Sequence, residues 1–586
     1  MPPARWVIPE NNPECEERLT RETAVGAITA RVLVARGYSD PSSARRFLRP
    51  SVDDLSDPFL LAGMRVAVDR LLAAVARKEK ILIYGDYDAD GTTAVVILYK
   101  ALELAGGAVS FHVPHRLRDG YGMQPGVIED AARDGVGLIV SVDTGIRAND
   151  VVRQARDLGI DVIITDHHLP DHELPPALAV LNPNRPGCGY PDKRLCGAGV
   201  AFQLARALFG SLGWPEKKVR ALVHSFLKMA AIATVADVVP LLGENRIIVK
   251  NGLRGLQDAR NPGLRALLDV AGFPGSTPCT ASGIAFRVAP RINAAGRMAN
   301  ARDVIEMFLT ADPDRARAIA GQLHELNHER QQTEAAIVRT ILEECERIPV
   351  SEKDAALIFS GENWHRGVVG IVASRLVERF YRPVVVLGVE GAEASGSGRS
   401  IPGFHLLEAL ESMADLFTRF GGHKQAAGLT LTADRVPELR ERLNAFARAR
   451  LSREDLLPTL EIDAALNIGD LNDGAVAEIL DLAPFGFGNP APLFVANGVE
   501  VASSPTLFGD KNLRVSVKQD GRFLTMKGWG FAERAGELPR GRRVDIVFEV
   551  NHDPYAQARG WGTWSTTLKD VREAGSAALA YSARNV

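Results

Sequence analysis

Residues 81–91 read ILIYGDYDADG. The apolar, β-branched start is that of a buried strand, and the glycine after it marks where the strand stops. Three carboxylates then follow at alternate positions: Asp86, Asp88 and Asp90. Like charge crowded this tightly raises carboxylate pKa values and destabilises a fold unless something positive offsets it. Lysine and arginine are absent between Lys80 and Lys100, which leaves a divalent cation as the natural counter-charge.

Its other ligands come from segments that end the same way. GLIVSV (137–142) runs into Asp143, and DVIIT (161–165) runs into Asp166, His167 and His168. Between these strands lie helical patterns, MRVAVDRLLAAVARKEK (64–80) and TTAVVILYKALELAG (92–106). Strand–helix alternation predicts a parallel, helix-covered sheet, and such sheets bind ligands outside the carboxyl ends of their strands. A fourth segment, MAAIATVADVVPLLGENR (229–246), reads as an apolar helix that breaks near Asp237. Each residue has a bland reading: Asp90 before GTTAVV fits a helix N-cap, and a His–His pair is commonly solvated. Capping does not require four segments to bring acids and imidazoles to one sheet edge. Carboxylates with imidazole and no thiol suit Mn²⁺ or Mg²⁺, and this many acids suit two ions.

The chain has 586 residues, 46% hydrophobic and 24% charged, with net charge −3. That composition is ordinary for a globular protein of several domains. No global basic field signals nucleic acid, so any such surface is local. Five cysteines without a CxxC pair read as reduced thiols. The N-terminus lacks an apolar signal core, and no apolar run of about 18 residues is evident. The expectation is a cytoplasmic protein without a membrane span.

Pattern shifts divide the chain into a helical segment (1–63), an α/β domain (64–302), a long charged connecting helix (303–350), a second α/β domain (351–457) and a β-rich domain of short alternating strands (458–586), read as a small barrel or sandwich.

DYDADG, SVDTG, DHH and ATVADVVPL, in this order and spacing, resemble the DHH phosphoesterase superfamily, and within it the RecJ branch of single-strand-specific exonucleases. HRLRDGYG (115–122), RVAPRINAAGR (287–297), WHRGVVGIVASR (364–375), SGSGRSIPGF (395–404), FGGHKQAAG (420–428) and PFGFGNPAPLF (484–494) agree with it. Thr144 departs from that pattern, where Asn or Cys is expected. The resemblance implies a DHH domain, a DHHA1-type domain joined to it by the long helix, and a C-terminal OB-fold. It implies that Asp143 bridges two ions, that Asp90, His167 and Asp237 complete one, and that Asp88, helped by Asp86, holds the other. His168 becomes an outer or phosphate contact, with Asp166 orienting the histidines. Arg116, Arg291, Arg297, Ser397, Arg399, Gly422 and His423 become substrate contacts; SGSGR reads as a phosphate nest.

OB-folds bind single strands by a basic groove and aromatic stacking. Trp529, Tyr555, Trp561 and Trp564 are the candidate aromatics; Arg514, Lys518, Lys527, Arg542 and Arg543 are the candidate charges. The leading function is a 5′-to-3′ exonuclease on single-stranded DNA that releases 5′-mononucleotides in repair and recombination, as a monomer beside a single-strand-binding protein and a helicase. A small-nucleotide phosphodiesterase and a non-catalytic scaffold are the alternatives. The first would need no barrel, and the second would be missing metal ligands.

Overall fold

The computed structural model describes residues 4–116, 118–351, 353–560 and 562–575, and the backbone of 580–581. The chain divides into two compact units: Val52–Leu457, and Pro3–Ser51 together with Pro458–Val586.

The first unit holds two sheets. The five strands of one are all parallel, in the order Ala108–His112, Lys80–Tyr84, Val136–Val142, Asp161–Thr165, Ala179–Leu181. The strand order reverses direction between Lys80–Tyr84 and Val136–Val142, so their carboxyl ends flank a crevice. Ile81, Ile83, Leu138 and Val140 sit in one core, while Leu82, Tyr84 and Ile139 sit in another across the sheet. These strands are buried on both faces, which is why they read as continuous apolar runs instead of alternating ones.

The second sheet is mixed. Its order is Phe417–Gly422, Ala426–Thr432, Glu393–Arg399, Val384–Glu390, Leu357–Glu362, with only the last pair parallel. SGSGR therefore lies in a central strand, not a nest, because its backbone amides are committed to the ladder. Gly396 is needed there for clearance: a Cβ would lie 1.9 Å from the Val386 carbonyl oxygen.

The connecting segment is two helices. Arg302–Leu309 is separate and carries Phe308 into the first core. The long helix runs Pro313–Arg347, capped by Asp312, whose side chain accepts from the Asp314 amide at 2.9 Å. Ala316, Ala320 and Leu323 on its first half pack into the core of the first sheet. Ile337 and Ile341 on its second half pack into a core of the second sheet. A helix shared by two cores needs only a narrow apolar stripe, which explains its charged sequence.

The apolar helix read as ending near Asp237 does end there, but it starts earlier: it spans Glu216–Ala236 and has the length and apolarity of a membrane span. It packs against the helices Ala89–Ala105, Gly197–Ser211 and Gly243–Leu256 within the first core.

In the second unit, Leu493–Val501, Arg543–His552, Trp564–Glu573, Arg522–Gly528 and Asn512–Gln519 pair in that order. The first and last pair again, Val501 with Val517, which closes the barrel. Phe494, Met526, Phe548 and Leu568 fill it. Residues 1–63 do not form a separate helical segment. Arg5–Ile8 is a strand, parallel to both Thr459–Glu461 and Ala580–Tyr581, and Trp6 and Ile8 share a core with Ile462 and Val547. The stretch TAVGAITARVLVARG is broken at Ala24, which is left-handed (φ 57°), and a helix restarts at Ala27. Residues 52–63 belong with the first unit.

Arg36 anchors the N-terminal helices to the barrel unit. Its guanidinium donates to both oxygens of Asp463 at 2.9 and 3.0 Å and to Asn489 Oδ1 at 2.6 Å, all of it buried. Removing one partner of such a pair leaves a buried charge uncompensated, so Arg36→Ala should destabilise this unit by about 3–5 kcal/mol. Urea unfolding followed by Trp6 fluorescence measures it; a loss below about 1 kcal/mol would mean that the pair is solvated.

Candidate metal centre and substrate cleft

The loop after Tyr84 turns directly into the helix Ala89–Ala105. Asp88, not Asp90, is the N-cap: its Oδ1 accepts from the amides of Asp90 and Gly91 at 2.9 and 3.0 Å. Asp90, freed from capping its own helix, reaches the start of another. Its two oxygens accept from the amides of Gly197 and Ala198 at 2.6 and 2.8 Å, where a helix N-terminus favours an anion. Asp143 sits just past its strand with φ 58° and donates its amide to the Thr165 carbonyl at 2.9 Å. That left-handed turn aims the carboxylate over the crevice. Gly197 makes room for it, since a Cβ there would meet the Asp143 side chain at 2.5 Å. Asp237 closes the helix Glu216–Ala236 as its C-cap.

Three groups of potential ligands result: Asp90, His167 and Asp237; Asp86, Asp88 and Asp143; and Asp143, His167 and His168. Within each group the ligand atoms lie within 4.8 Å of one another. His167 Nε2 is 3.2 Å from Asp143 Oδ1, 3.7 Å from Asp237 Oδ2 and 3.8 Å from Asp90 Oδ2. The residues of the two sets that the resemblance implies thus come together at one sheet edge.

Electrostatics shows what the cluster lacks. Burial pushes the carboxyls of Asp86, Asp90, Asp143 and Asp237 upward, and the neighbouring aspartates push them further. Burial lowers the pKa of His167 and favours its neutral, ligating form. Asp86 Oδ1, Asp143 Oδ1, His167 Nε2 and Asp237 Oδ2 are buried without a hydrogen-bond partner among the described residues. A buried polar atom left unpaired costs about 1–3 kcal/mol, more if charged. Four such atoms facing each other, oxygen with imidazole nitrogen, are the donor set of a Mn²⁺ or Mg²⁺ site. The residues fit the ions.

Asp166 plays a different part. Its Oδ1 accepts from the backbone amides of His167 and His168 at 2.8 and 3.1 Å and bonds His168 Nδ1 at 2.7 Å, while Oδ2 accepts from the Ile146 amide at 3.0 Å. Burial opposes ionisation, but the His168 bond and the other contacts hold Asp166 below the ordinary carboxylate range. It therefore fixes the ring of His168 and the backbone of both histidines. The two histidine carbonyls accept from Asn184 and Asn182 at 2.7 and 2.8 Å.

The candidate substrate residues divide. Arg116 stacks over Tyr87, 4.5 Å from the ring centroid, and its charge faces Asp86, Arg297 and Arg399. Arg297 is half-buried and donates to the Gly367 carbonyl at 3.0 Å; burial, with Arg116 and Arg399 beside it, lowers its pKa to about 9. Arg399 donates to Ser397 Oγ at 2.6 Å. These three arginines and Ser397 come together from both α/β domains. Arg291 does not join them; its guanidinium is turned onto His324 of the long helix at 3.0–3.2 Å. His423 follows Gly422 at the end of a strand and faces Arg147 and His168 across the same opening.

Sequence reasoning missed the supports of this site. Asn293 caps from outside, accepting the Ala89 amide on Oδ1 at 2.9 Å, and the Gly197–Ala198 amides cradle Asp90. RINAAGR stands out as a motif, but nothing local tells which of its residues turns inward. Tyr121, half exposed at the mouth, places its hydroxyl 3.3 Å from His168 Nδ1.

In the barrel unit, Trp529 is exposed and packs edge-on against Phe508 at 5.5 Å. Tyr555 is exposed under Arg559. Trp564 is tied to Asp473 at 2.9 Å. Lys518, Lys527 and Arg542 are paired with Glu500, Asp553 and Glu573, which weakens the expected basic groove. Trp561 lies outside the described residues.

Comparison with known proteins agrees with this architecture. The chain matches the DHH family N-terminal domain over residues 80–234, the DHHA1 domain over 353–449 and the RecJ OB domain over 462–561. The single-stranded-DNA-specific exonuclease RecJ of Bacillus subtilis is 38% identical over 93% of this chain and 68% of its own length. The crystal structure of Thermus thermophilus RecJ with Mn²⁺ superposes with TM-score 0.83 at 30% identity, covering 98% of this chain and 80% of that one. The same protein with Mg²⁺ gives 0.77 at 28% identity, covering 98% and 79%. With the DHH, DHHA1 and RecJ OB domains matched in order and 38% identity over most of its length, the chain belongs to the RecJ family of DHH-type single-stranded-DNA-specific exonucleases.

Proposed function

We propose that the chain hydrolyses single-stranded DNA from the 5′ end, releasing 5′-mononucleotides in DNA repair and recombination. One observation carries the chemistry: four orphaned, buried ligand atoms converge at the edge of the parallel sheet. In this reading Asp90, His167 and Asp237 would hold one ion and Asp86 and Asp88 the other, with Asp143 within reach of both groups. Bound there, Mn²⁺ or Mg²⁺ supplies Lewis acidity and offsets the carboxylate charge.

The chain's own residues supply binding and orientation. Arg116, Arg297 and Arg399 crowd like charge into a buried space, and an anionic phosphate relieves it. Ser397, bonded to Arg399, fixes the direction of that guanidinium. His168, held on Nδ1 by Asp166, keeps Nε2 for a phosphate oxygen, with Tyr121 and His423 at the same mouth. Hydrolysis forms a P–O bond to water and breaks the P–O3′ bond, leaving the phosphate on the shortened strand. The aromatics Trp529 and Tyr555 of the barrel unit serve longer strands by stacking. A single-strand-binding protein and a helicase are the expected partners of a monomeric, cytoplasmic nuclease of this kind.

Two predictions test this reading. Asp143→Asn removes a buried charge and the bridging ligand together. Hydrolysis of a 5′-labelled single strand should fall by at least about a thousandfold, more than loss of one transition-state contact. The metal-free variant should melt higher than the parent and lose the stabilisation that Mn²⁺ confers by binding the folded state. A folded variant with parental turnover, or with parental Mn²⁺ stabilisation, would remove Asp143 from the centre.

The second concerns the barrel unit. Because residues 3–51 fold with it, the catalytic fragment to make is 52–457. It should retain cleavage of di- to hexanucleotides while binding long strands at least about tenfold more weakly and with a smaller salt slope. Unchanged long-strand affinity would assign the barrel to another partner. Lost cleavage in a folded fragment would place part of the site outside it.

A further inference from the structure

Arg116 and Tyr121 reach the cleft from one loop, between the strand Ala108–His112 and the helix Pro125–Arg133. The charge of Arg116 faces Asp86, Arg297 and Arg399, and the Tyr121 hydroxyl lies 3.3 Å from His168 Nδ1 and 3.4 Å from the Asp143 carbonyl oxygen. Neither side chain sits on a helix or a strand. The backbone between them and the next helix turns through Gly120 and Gly122, at φ 77° and 99°, conformations that side-chain-bearing residues rarely adopt. Something beneath the loop has to fix its path.

Tyr84, the last residue of the strand Lys80–Tyr84, lies there. Its ring is fully buried and tilted against His112 of the neighbouring strand, 5.1 Å between centroids. Its hydroxyl leaves the core and meets loop backbone: it donates to the Gly122 carbonyl at 3.2 Å and accepts the Gln124 amide at 3.1 Å. Gln124 carries the tie onward, its Nε2 donating to the Gly122 and Asp119 carbonyls at 3.2 and 3.1 Å. Asp119 closes the turn that holds Arg116, donating its amide to the His115 carbonyl at 2.8 Å and accepting the His115 amide at 2.7 Å. A run of hydrogen bonds thus joins one strand end to both cleft residues. A phenylalanine would fill the core equally well, so the hydroxyl serves the loop. Without it the Gly122 carbonyl keeps Gln124 Nε2, whereas the Gln124 amide has no other acceptor among the described residues.

We propose that Tyr84 is a positioning residue for the substrate strand: its hydroxyl fixes the loop that presents Arg116 and Tyr121, at the same strand end that leads into Asp86. The proposal rests on the exonuclease reading, in which those two side chains face the phosphates. Losing the hydroxyl lets the loop take other paths, and apparent affinity falls with the fraction of molecules that hold Arg116 and Tyr121 in place. The acids and His167 of the metal centre arrive from other segments, so ion binding does not depend on this tie.

Tyr84→Phe in the full chain tests this, because it keeps the ring and removes the hydroxyl. The variant should melt within about 4 °C of the parent and keep the parent's stabilisation by Mn²⁺. Its KM for a 5′-labelled single strand should rise about three- to tenfold, with kcat within about twofold. Amide exchange across 118–128 should accelerate, led by Gln124. In an Arg116→Ala/Tyr121→Phe background, adding Tyr84→Phe should raise KM no further, since the groups it positions are gone. Additive losses in that cycle would make Tyr84 a purely structural residue and overturn the proposal. Unchanged exchange at Gln124, or a matching loss of Mn²⁺ stabilisation, would overturn it as well. A parent that cleaves no single strand would overturn the exonuclease reading and this proposal with it; a parent that cleaves, beside a Tyr84→Phe variant of equal KM, would overturn this proposal alone.

Discussion

The first unit is organised around a repulsion. Several aspartates are driven into one buried crevice, each raising the pKa of the others. Nothing in the local chain neutralises them. The fold accepts this because each carboxylate arrives from a separate rigid element, and because those elements are packed firmly enough to bear the strain. Asp143 shows the cost most directly, with a left-handed backbone and an unpaired oxygen. Such a cluster is a liability without cations and a two-ion clamp with them.

Around it the protein arranges partial compensation in graded form. Asp90 leans on a helix N-terminus, Asp88 on its own helix, and Asp166 on four donors. The oxygens left over are those facing the crevice. Opposite stand Arg116, Arg297 and Arg399; burial first, and then neighbouring guanidinium charge, lowers the pKa values of the last two. An acidic half and a basic half, each frustrated alone, suit a ligand that brings both cations and phosphates. The long helix makes this pairing rigid, since its two halves are buried in the cores of both α/β domains.

The barrel unit obeys a different rule. It closes through the local pairing of Val501 with Val517, but its tie to the N-terminal segment comes from pairings between residues more than 400 positions apart, such as Trp6 with Leu460 and Arg36 with Asp463. Several of its basic side chains are neutralised by acids on neighbouring strands, so its contribution to strand binding falls more on exposed aromatics such as Trp529 and Tyr555 than on a field of charge.

The clustered acids and histidines were legible in the sequence because a buried strand announces itself locally. ILIYG, GLIVSV and DVIIT each end in the residues they deliver, and parallel topology forces those ends to one edge. The two α/β domains and the small β domain were legible for the same reason: their periodicities are local. What the sequence could not carry was anything decided by partners far along the chain. The strand Arg5–Ile8 looks like an unremarkable leader until Thr459–Glu461 lies beside it. SGSGR looks like a phosphate loop until two flanking strands take up its amides. Arg291 is chemically equal to Arg297, and only the position of His324 on the long helix turns it away. Asn293 and Gly197 are silent in the sequence because their work is steric and polar support of residues more than 50 positions away. Local pattern determined which side chains sit at the strand ends; tertiary packing alone decided which of them were left unpaired, and an unpaired buried atom is what makes a site.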